Sequence, residues 1–552
     1  MCSSDLEADV TPLDTCEGRS DADPWDIAVE WTVPFGMGSY TPPIIGRLSD
    51  TNGDGLVDDT DLPVIVVSDL WGVLSAYIGD GSGVAFSVAG ALGVSAPAIA
   101  DMNGDSEPEL VTAMADGSVA AYDGAGNLEW TSPVLAAATS FPTISVADLD
   151  GDGDVEIVTP SAALSGADGS LVFSLPVEPD VQIQPTVVDL DLDGRSEILL
   201  GRTWYDADGH LLISEPRGGY SEFNAVVDVE GDGLGEVVTV STSRLTLQDA
   251  TGATLVDVAL PGTREPGVPA VADFDGDGAP EICVPDETAL GIYEIDGSLL
   301  WSASMDDYSG WAGCFGFDVD ADGATDAVLA DETGLRIYDG RTGTVMFTDN
   351  THRSGTVFEY PVVADVDGDD VAELVVVDNM GGYNGLTVYS QADGVWPDAD
   401  ETWAVFDLPL TAVEPDGTVP SRPASPWNTL DTFHARPGNL ADVPQADLRV
   451  AIDDVCVADC DFGPVLVGLH VENIGLVDVP AGAVVSLYTA EGTLLTQVTL
   501  GDVPAGRSLA GVTIELTPAD VTAGGFVAIV DEAGTVQECD EADNTEIGRA
   551  HV

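Results

Sequence analysis

Short apolar stretches alternate with acidic loops along most of this chain. One unit recurs between residues 43 and 390: an apolar strand, an acidic loop, a second apolar strand, a third strand, and a fourth strand with an aromatic residue. The clearest copies of its first half are PTISVADLDGDGDVEIVTP and PAVADFDGDGAPEICVP. Short runs rich in β-branched residues and bounded by glycine and aspartate favour strands over helices. The pattern therefore predicts an all-β repeat protein.

The repeat has the length of a four-stranded propeller blade. Successive acidic loops begin 51, 47, 41, 39, 45, 45 and 47 residues apart. Eight copies predict an eight-bladed β-propeller, and seven blades with one divergent unit is the alternative. The loops begin at Asp50, Asp101, Asp148, Asp189, Asp228, Asp273, Asp318 and Asp365.

One predicted strand lies before the first loop. Residues Ile27–Pro34 place Trp31 where later repeats have Trp130 and Trp301 in their fourth strand. Joined to the three strands of the eighth repeat, this segment would complete the last blade and remove an open sheet edge. We therefore expect it to close the ring.

The acidic loops follow the pattern Asp-x-Asp/Asn-Gly-Asp-Gly-x-x-Asp/Glu. Side-chain oxygens at positions one, three, five and nine, with the backbone carbonyl at position seven, are the hard donors that select Ca²⁺. Glycines at positions four and six let the chain turn tightly around one point. Without a cation, carboxylates about 4 Å apart would repel by about 4 kcal/mol at an effective dielectric of about 20. We therefore predict up to eight calcium sites that are part of the fold.

An EF-hand is the competing interpretation of these loops. It requires flanking helices and a bidentate glutamate at position twelve, where the third and sixth loops have Thr159 and Val284. Only the first loop has an acid there, Asp61, which could replace or assist Asp58. Four other loops have another residue at a glycine position: Ser106, Leu192, Ala321 and Asp370.

The predicted ligands occupy the same five positions in every loop, with Asp61 added in the first. From the first loop to the eighth they are Asp50, Asn52, Asp54, Leu56, Asp58 and Asp61; Asp101, Asn103, Asp105, Glu107 and Glu109; Asp148, Asp150, Asp152, Asp154 and Glu156; Asp189, Asp191, Asp193, Arg195 and Glu197; Asp228, Glu230, Asp232, Leu234 and Glu236; Asp273, Asp275, Asp277, Ala279 and Glu281; Asp318, Asp320, Asp322, Ala324 and Asp326; and Asp365, Asp367, Asp369, Val371 and Glu373.

These loops, each following a P-x-V-x-D strand, resemble the FG-GAP/VCBS repeats of integrin-α-like propellers over about residues 27–395. The resemblance implies a calcium-stabilised extracellular propeller used in adhesion or recognition. It also implies that the ions lie on the loops between the first and second strand of each blade.

The rest of the chain divides by composition. Residues 396–443, rich in proline and tryptophan, predict a connector that packs on the propeller through Trp403, Trp427 and Phe433. Residues 444–545 alternate apolar strands with glycine and proline, which predicts an immunoglobulin-like β-sandwich of about seven strands. The strings HVENIG, VPAG and ECDEADNT resemble the extracellular CARDB adhesion modules.

The two ends are set apart from the fold. Residues 1–26 are an N-terminal segment, and within it MCSSDL resembles translated sequencing-adapter read-through, as does EIGRAHV at residues 546–552. Ordinary termini are the alternative. We expect an exported protein whose signal peptide lies upstream of the visible start.

The net charge of the chain limits the kinds of molecule that it can bind. The 98 acidic and 15 basic residues give a formal charge of −83, which repels nucleic-acid phosphates and anionic membranes. Every basic residue is arginine, which excludes P-loop, Schiff-base and lysine-base chemistry. No apolar run of 18 or more residues predicts a membrane span. A protein or glycan at the cell surface is the partner we expect.

The cysteines favour disulfides over zinc, because no C-x-x-C pair or neighbouring histidine is present. Cys283 and Cys314 lie in consecutive repeats, which predicts a bridge between neighbouring blades, with free core thiols as the alternative. Cys456 and Cys460 are spaced for a local bridge.

A ligand face is expected opposite the calcium loops, where the connections between strands two and three and between blades emerge. An anionic or sugar ligand would use arginine forks and aromatic faces there. The alternative is that the arginines neutralise nearby aspartates and the aromatics fill gaps between blades. The candidates are Trp71, Arg202, Arg217, Tyr220, Arg264, Tyr308, Trp311, Arg353 and Tyr360.

Binding is predicted ahead of catalysis. The histidines are scattered, no Gly-x-Ser-x-Gly elbow is present, and the repeated carboxylates are assigned to metal loops. A calcium-dependent propeller enzyme that acts on polysaccharide, similar to a lyase, is the alternative.

Overall fold

The computed structural model divides the chain into two compact units, one formed by Asp23–Asn439 and one that includes Leu440–Val552. No helix in the described part of the chain has the length and apolarity needed to cross a bilayer. The structure describes residues 24–548 except 35–37, 54–56, 58–59, 136–141, 177–181, 217–220, 263, 265, 309, 353–354, 356, 370, 381–382, 392–395, 407–410, 430–431, 437–447, 458–464, 474–478, 480–482, 490–492, 502, 504–506, 517–525 and 531–544.

The described part of the first unit contains eight mainly antiparallel sheets, so the all-β propeller is confirmed. The first strand of each sheet is buried and, except in blade five, only three residues long, whereas the fourth alternates exposed and covered residues because it lies on the outside. The N-terminal strand is β1, Ile27–Pro34. Blade one contains β2 Ile44–Gly46, β3 Val64–Ser68, β4 Val73–Ile78 and β5 Val84–Ala89; blade two β6 Ala98–Ala100, β7 Glu109–Ala113, β8 Val119–Tyr122 and β9 Leu128–Thr131; and blade three β10 Ser145–Ala147, β11 Glu156–Thr159, β12 Ala162–Ser165 and β13 Leu171–Ser174.

Blades five and seven each gain a fifth strand, which lies parallel to the first strand of the blade. The strand β14 is Gln182–Ile183. Blade four contains β15 Thr186–Val188, β16 Glu197–Leu200, β17 Thr203–Tyr205 and β18 Leu211–Ser214; blade five β19 Ser221–Val227, β20 Glu236–Ser241, β21 Arg244–Gln248 and β22 Thr254–Ala259; blade six β23 Ala270–Ala272, β24 Glu281–Pro285, β25 Ala289–Glu294 and β26 Leu299–Ser304; blade seven β27 Phe315–Phe317, β28 Asp326–Ala330, β29 Leu335–Tyr338 and β30 Val345–Asp349; and blade eight β31 Val362–Ala364, β32 Glu373–Met380 and β33 Tyr383–Gln391.

The N-terminal strand supplies the outer strand of the last blade. β1 pairs antiparallel with β33, from Ile27 opposite Gln391 to Pro34 opposite Gly385. The predicted ring closure is therefore confirmed. It joins the start of the propeller sequence to its end by backbone hydrogen bonds, which leaves β33 without an open edge.

Neighbouring blades meet through one repeated contact. The indole of Trp130 in blade two lies on Gly169, in a turn of blade three, and its N–H donates to the carbonyl oxygen of Gly166 at 3.0 Å. Gly169 has a φ of +69°, and a Cβ there would stand 2.4 Å from the indole ring. The turn therefore requires glycine for both its backbone conformation and the close approach of the tryptophan.

The segment after blade eight runs along the inner edges of the sheets. Trp403 exchanges backbone hydrogen bonds of 2.8 and 2.9 Å with Ile45 of blade one, and Phe433 does the same with Val271 of blade six. Trp403, Phe406 and Phe433 are at most 1% exposed. The segment is thus part of the propeller core. Its regular elements are α1 Pro426–Thr429 and β34 Ala435–Arg436, the strand added to blade seven.

A disulfide joins Cys283 of blade six to Cys314, which directly precedes the first strand of blade seven. The two Cα atoms are 6.2 Å apart and both side chains are buried. Cys460 and the side chain of Cys456 lie outside the described residues.

The second unit consists of two sheets with an apolar interior. One sheet has the order β35-β36-β39 and the other β38-β37-β40-β41. Residues 546–548, which the sequence interpretation set aside, pair with β40, since Ile547 lies opposite Val527. The strands are β35 Leu448–Val457, β36 Val465–Asn473, β37 Val484–Thr489, β38 Leu494–Thr499, β39 Arg507–Leu516, β40 Phe526–Val530 and β41 Thr545–Gly548.

Candidate metal centres

Each acidic loop wraps around its first aspartate. In loop two the carboxylate of Asp101 accepts hydrogen bonds from the backbone N–H groups of Gly104 at 2.7 Å, Asp105 at 3.2 Å and Ser106 at 2.9 Å. These bonds fix the carboxylate at the centre of the turn. Loop N–H groups also donate to Asp50, Asp148, Asp189, Asp228, Asp273, Asp318 and Asp365.

The acid at position nine is the first residue of the second strand and turns back into the loop. Glu109, at the start of β7, accepts a hydrogen bond of 2.9 Å from the backbone N–H of Met102 at position two. This bond ties the end of the loop to its beginning. The same contact is made by Glu156, Glu197, Glu236, Glu281, Asp326 and Glu373.

Burial of these acids disfavours their charged form. Together with a smaller contribution from neighbouring acidic groups, it raises the pKa of Glu109 and of Glu281 to about 8, and that of Glu156 to about 7. The pKa of Glu373 rises to about 10 for the same reasons. The loops therefore hold more negative charge than the protein alone stabilises.

Carboxylate oxygens converge within the loops. In loop six, one oxygen from each of Asp273, Asp275, Asp277 and Glu281 lies within 4.8 Å of the others. Glu281 is fully buried, and its Oε1 has no hydrogen-bond partner among the residues that the structure describes. An orphaned buried carboxylate oxygen among three aspartates fits a hard divalent cation. Similar groups are Asp101 with Asp105 and Glu109, Asp148 with Asp150 and Asp152, and Asp189 with Asp191 and Glu197.

The turn is kept where glycine is replaced. Ser106, Leu192 and Ala321 have φ values of +71°, +59° and +50°, in the left-handed region that the glycines of other loops adopt. Loops two, four and seven therefore keep the conformation despite the cost of a side chain there. Asp370 lies outside the described residues.

In the first loop Asp61 makes the contact that position nine makes elsewhere. Its Oδ1 accepts hydrogen bonds from the backbone N–H of Thr51 at 2.6 Å and of Asn52 at 3.0 Å. Three of the predicted ligands in this loop, Asp54, Leu56 and Asp58, lie outside the described residues. The geometry favours Asp61 as the closing acid of this loop.

Two charged residues beside the loops were not predicted. Glu30 of β1 hydrogen-bonds Asp367 in loop eight, and partial desolvation with this neighbouring carboxylate raises the pKa of Glu30 to about 7. Arg341 pairs with Asp322 of loop seven and donates to the carbonyl oxygen of Asp275 in loop six at 3.1 Å. The repeated Glu-Trp pair at 30–31 and 129–130 was the available signal for Glu30.

Comparison with known proteins agrees with this geometry. Residues 101–159 match the model of the FG-GAP-like repeat. The match spans the second and third acidic loops, so the resemblance predicted from the sequence is confirmed there. No curated protein sequence matches the chain.

The chain is similar to several solved structures. The V. cholerae biofilm matrix protein Bap1 is 20% identical and gives a TM-score of 0.67 over 74% of this chain and 98% of its own. The rhamnogalacturonan lyase YesW is 19% identical, with a TM-score of 0.46 over 67% of this chain and 76% of its own. A CARDB domain from Pyrococcus furiosus, solved with di-metal ions, is 27% identical over 19% of this chain and 91% of its own, with a TM-score of 0.16. The likeness to Bap1 shows a common fold.

The face opposite the FG-GAP-like loops carries part of the predicted ligand set. Trp71 and Tyr308 are both 69% exposed. The guanidinium of Arg264 lies 3.9 Å from the centroid of the Tyr308 ring and its Nε is 3.4 Å from Glu287. Trp311 is half-buried and stacks on Phe358. Arg264 and Tyr308 therefore form one exposed cation–π pair.

Two members of that set do not face solvent. Tyr360 is buried and donates its hydroxyl to the carbonyl oxygen of Phe406, because the segment after blade eight covers it from inside the ring. Arg202 is mostly buried between Glu215, at 3.2 Å, and Glu222, at 3.8 Å, and neutralises these carboxylates. Arg217, Tyr220 and Arg353 lie outside the described residues.

Proposed function

We propose that this chain is an exported propeller protein that binds Ca²⁺ in its acidic loops and recognises a protein or glycan at the cell surface. The observation that carries the proposal is the convergence of carboxylates in loop six around Oε1 of Glu281, which has no hydrogen-bond partner in the described part of the chain. Calcium supplies a divalent charge that cross-links such oxygens. The backbone N–H groups that hold Asp273 and the strand that positions Glu281 would keep these oxygens in place for the ion.

Two observations support the extracellular part of the proposal. A buried disulfide between Cys283 and Cys314 suits an oxidising compartment. The propeller is also similar in fold to Bap1, which is a biofilm matrix protein. The strongly acidic surface argues against nucleic acid as the partner.

The pair formed by Arg264 and Tyr308 is the proposed recognition site. An exposed aromatic ring beside a guanidinium presents an apolar face together with a charged donor, a combination that suits a sugar ring or an acidic group. Both residues belong to connections between blades, where change in sequence costs the fold little.

Calcium binding is tested by equilibrium dialysis and by thermal unfolding with and without a chelator. We expect several ions per chain and a lower melting temperature after chelation. Dissociation constants of about 10⁻⁴–10⁻³ M would be typical of extracellular sites. Dialysis that finds no bound calcium at millimolar concentration would remove the proposal.

Recognition is tested by binding to arrays of glycans and of extracellular-matrix proteins. Tyr308→Ala should abolish binding with an unchanged melting temperature, because the side chain is 69% exposed. Leu299→Ala, at an exposed position on the outer strand of blade six, is the matched control and should bind normally. Release of unsaturated sugar ends during incubation would favour the lyase alternative.

A further inference from the structure

An arginine lies between the sixth and seventh acidic loops. Arg341 belongs to the turn between β29 and β30 of blade seven. Its Nε donates to the carbonyl oxygen of Asp275 in loop six at 3.1 Å, and its Nη2 donates to the carbonyl oxygen of Asp322 in loop seven at 3.0 Å. Its Nη1 pairs with the carboxylate of Asp322. Two adjacent loops therefore engage all three nitrogens of the guanidinium group, which fixes the position of its charge.

The two loops lie close enough for one side chain to contact both. The backbone N–H of Thr325 in loop seven donates to the carbonyl oxygen of Asp273 in loop six at 2.8 Å. A Cβ atom at Gly276 would stand 2.5 Å from Nη2 of Arg341 and 3.2 Å from the carbonyl oxygen of Gly323. Glycine at position four of loop six therefore leaves the space that the guanidinium group occupies.

Arg341 pairs with the acid at position five of loop seven. Asp277 and Asp322 occupy this position in loops six and seven, and Oδ1 of each accepts the backbone N–H of position seven at 2.9 Å. In loop six, one oxygen of Asp277 lies within 4.8 Å of oxygens from the other three acids. In loop seven, Oδ2 of Asp322 is paired with Arg341. A positive charge of the protein itself thus neutralises one of the acids in loop seven.

The acid at position nine also differs between these loops. Loop six has Glu281, whose Oε1 has no hydrogen-bond partner in the described part of the chain. Loop seven has Asp326, which is one methylene group shorter. Its Oδ2 accepts the backbone N–H of Val319 at 3.1 Å, and its Oδ1 accepts that of Gly340 at 3.2 Å. Because the backbone satisfies both oxygens, Asp326 does not present an orphaned acceptor of the kind that Glu281 presents to a cation.

We propose that Arg341 takes the place of Ca²⁺ in loop seven, so that this loop stays folded without an ion and binds none at concentrations that fill loop six. A guanidinium group carries a permanent positive charge and needs no dissolved ion. The inference rests on the proposed function, since it takes Ca²⁺ as the ion of the other acidic loops. Loop seven then follows the acidic pattern in its sequence but not in its need for calcium.

Counting bound ions by equilibrium dialysis tests this with a matched pair of substitutions at position five. At the calcium concentration that just saturates the wild type, Asp277→Ala should bind about one ion fewer, because even the loss of a group that supports a metal ligand costs about tenfold or more in affinity. Asp322→Ala should bind as many ions as the wild type. If Asp322→Ala also loses an ion, loop seven binds calcium, and the inference is overturned while the proposed function stands. If the wild type binds no calcium, the proposed function fails as well.

Arg341→Gln tests the part played by the arginine. The Asp322 carboxylate then loses its positive partner, so we expect one more bound ion than in the wild type and faster hydrogen exchange of residues 318–326 in chelator. At about 10 mM calcium, an ion bound with a dissociation constant of about 10⁻³ M would slow that exchange by about tenfold.

Arg244→Gln is the matched control for this variant. It removes a similarly exposed arginine that pairs with Asp257 on an outer strand, away from the acidic loops. The control should change neither the number of bound ions nor the exchange of residues 318–326. A wild-type ion count in Arg341→Gln, or the same change in Arg244→Gln, would overturn the inference.

Discussion

Trp31 donates its indole N–H to the carbonyl oxygen of Gly79, 3.0 Å away and 48 residues later in the chain. The ring also lies against Gly81, whose φ is +71°. Trp130 makes the same contacts with the blade that follows it. The junction that closes the propeller therefore uses the same packing as an interface inside the ring.

Removing this aromatic ring should weaken the closure. We expect Trp31→Ala to lower the free energy of unfolding of the propeller by about 2–4 kcal/mol, because it leaves a cavity against Gly81 and an unpaired carbonyl oxygen on Gly79. Chemical denaturation at saturating calcium measures the change. Val29→Ala, at a half-exposed position on the same strand, is the control and should change stability by less than about 0.5 kcal/mol.

The calcium-free protein should become less stable as pH rises. Glu109 and Glu281 have a folded-state pKa of about 8 against a usual value of 4.5, so the folded state holds their protons more tightly than the unfolded chain. The resulting stability is fully present below pH 4.5 and is lost as pH rises through about 8. Each such group contributes a slope of about 1.4 kcal/mol per pH unit within that window.

Thermal unfolding in chelator between pH 5 and 8 measures this slope. Glu109→Gln should reduce it, because the amide does not titrate. Saturating calcium should also reduce it, since the ion takes over the neutralisation of the deprotonated loops. A melting temperature of the chelated protein that stays constant across this range would contradict the prediction.

The disulfide should stabilise the junction of blades six and seven. Cys283 and Cys314 are 31 residues apart, and a loop of that length corresponds to about 3–4 kcal/mol of unfolded-state entropy. Reduction at saturating calcium should lower the free energy of unfolding by about that amount. If the bond itself carries the effect, Cys283→Ala, Cys314→Ala and the double variant should all respond weakly to reductant.

Loop four offers a stabilising change. Leu192 has a φ of +59° and an exposed side chain, so Leu192→Gly relieves a left-handed conformation without removing a buried contact. We expect a gain of about 1 kcal/mol in the free energy of unfolding and tighter calcium binding. Leu192→Ala keeps the Cβ atom and should give no comparable gain. Equal stability of all three proteins would show that the turn is not strained.

The repeated parts of the molecule were accessible from the sequence because each copy obeys the same local physics. Eight acidic loops mark the turn between a buried first strand and a buried second strand, and this pattern survives even where Ser106, Leu192 or Ala321 replaces glycine. Trp31 similarly predicts the strand that closes the ring, because it occupies the same position in the repeat as Trp130. The local sequence pattern was sufficient to predict contacts between neighbouring strands and between neighbouring blades.

The parts that depend on distant partners were not accessible in the same way. Trp403 and Phe433 pair with strands of different blades, so their segment shows no periodicity although it is buried. Tyr360 was therefore named as a candidate of the ligand face, although its side chain is buried and bonded to Phe406. Glu30 lies at a bulge in the pairing of β1 with β33, which is a property of register rather than of composition.

The route of the chain out of the propeller has a mechanical consequence. Beyond the last blade the backbone is bonded to blade six at Phe433 and to blade seven through β34. Tension on the chain beyond Arg436 would reach these interior bonds first. The paired strands β1 and β33 do not lie on the path of this force. A pulling force on the chain beyond Arg436 would therefore not begin by separating the two strands that close the ring.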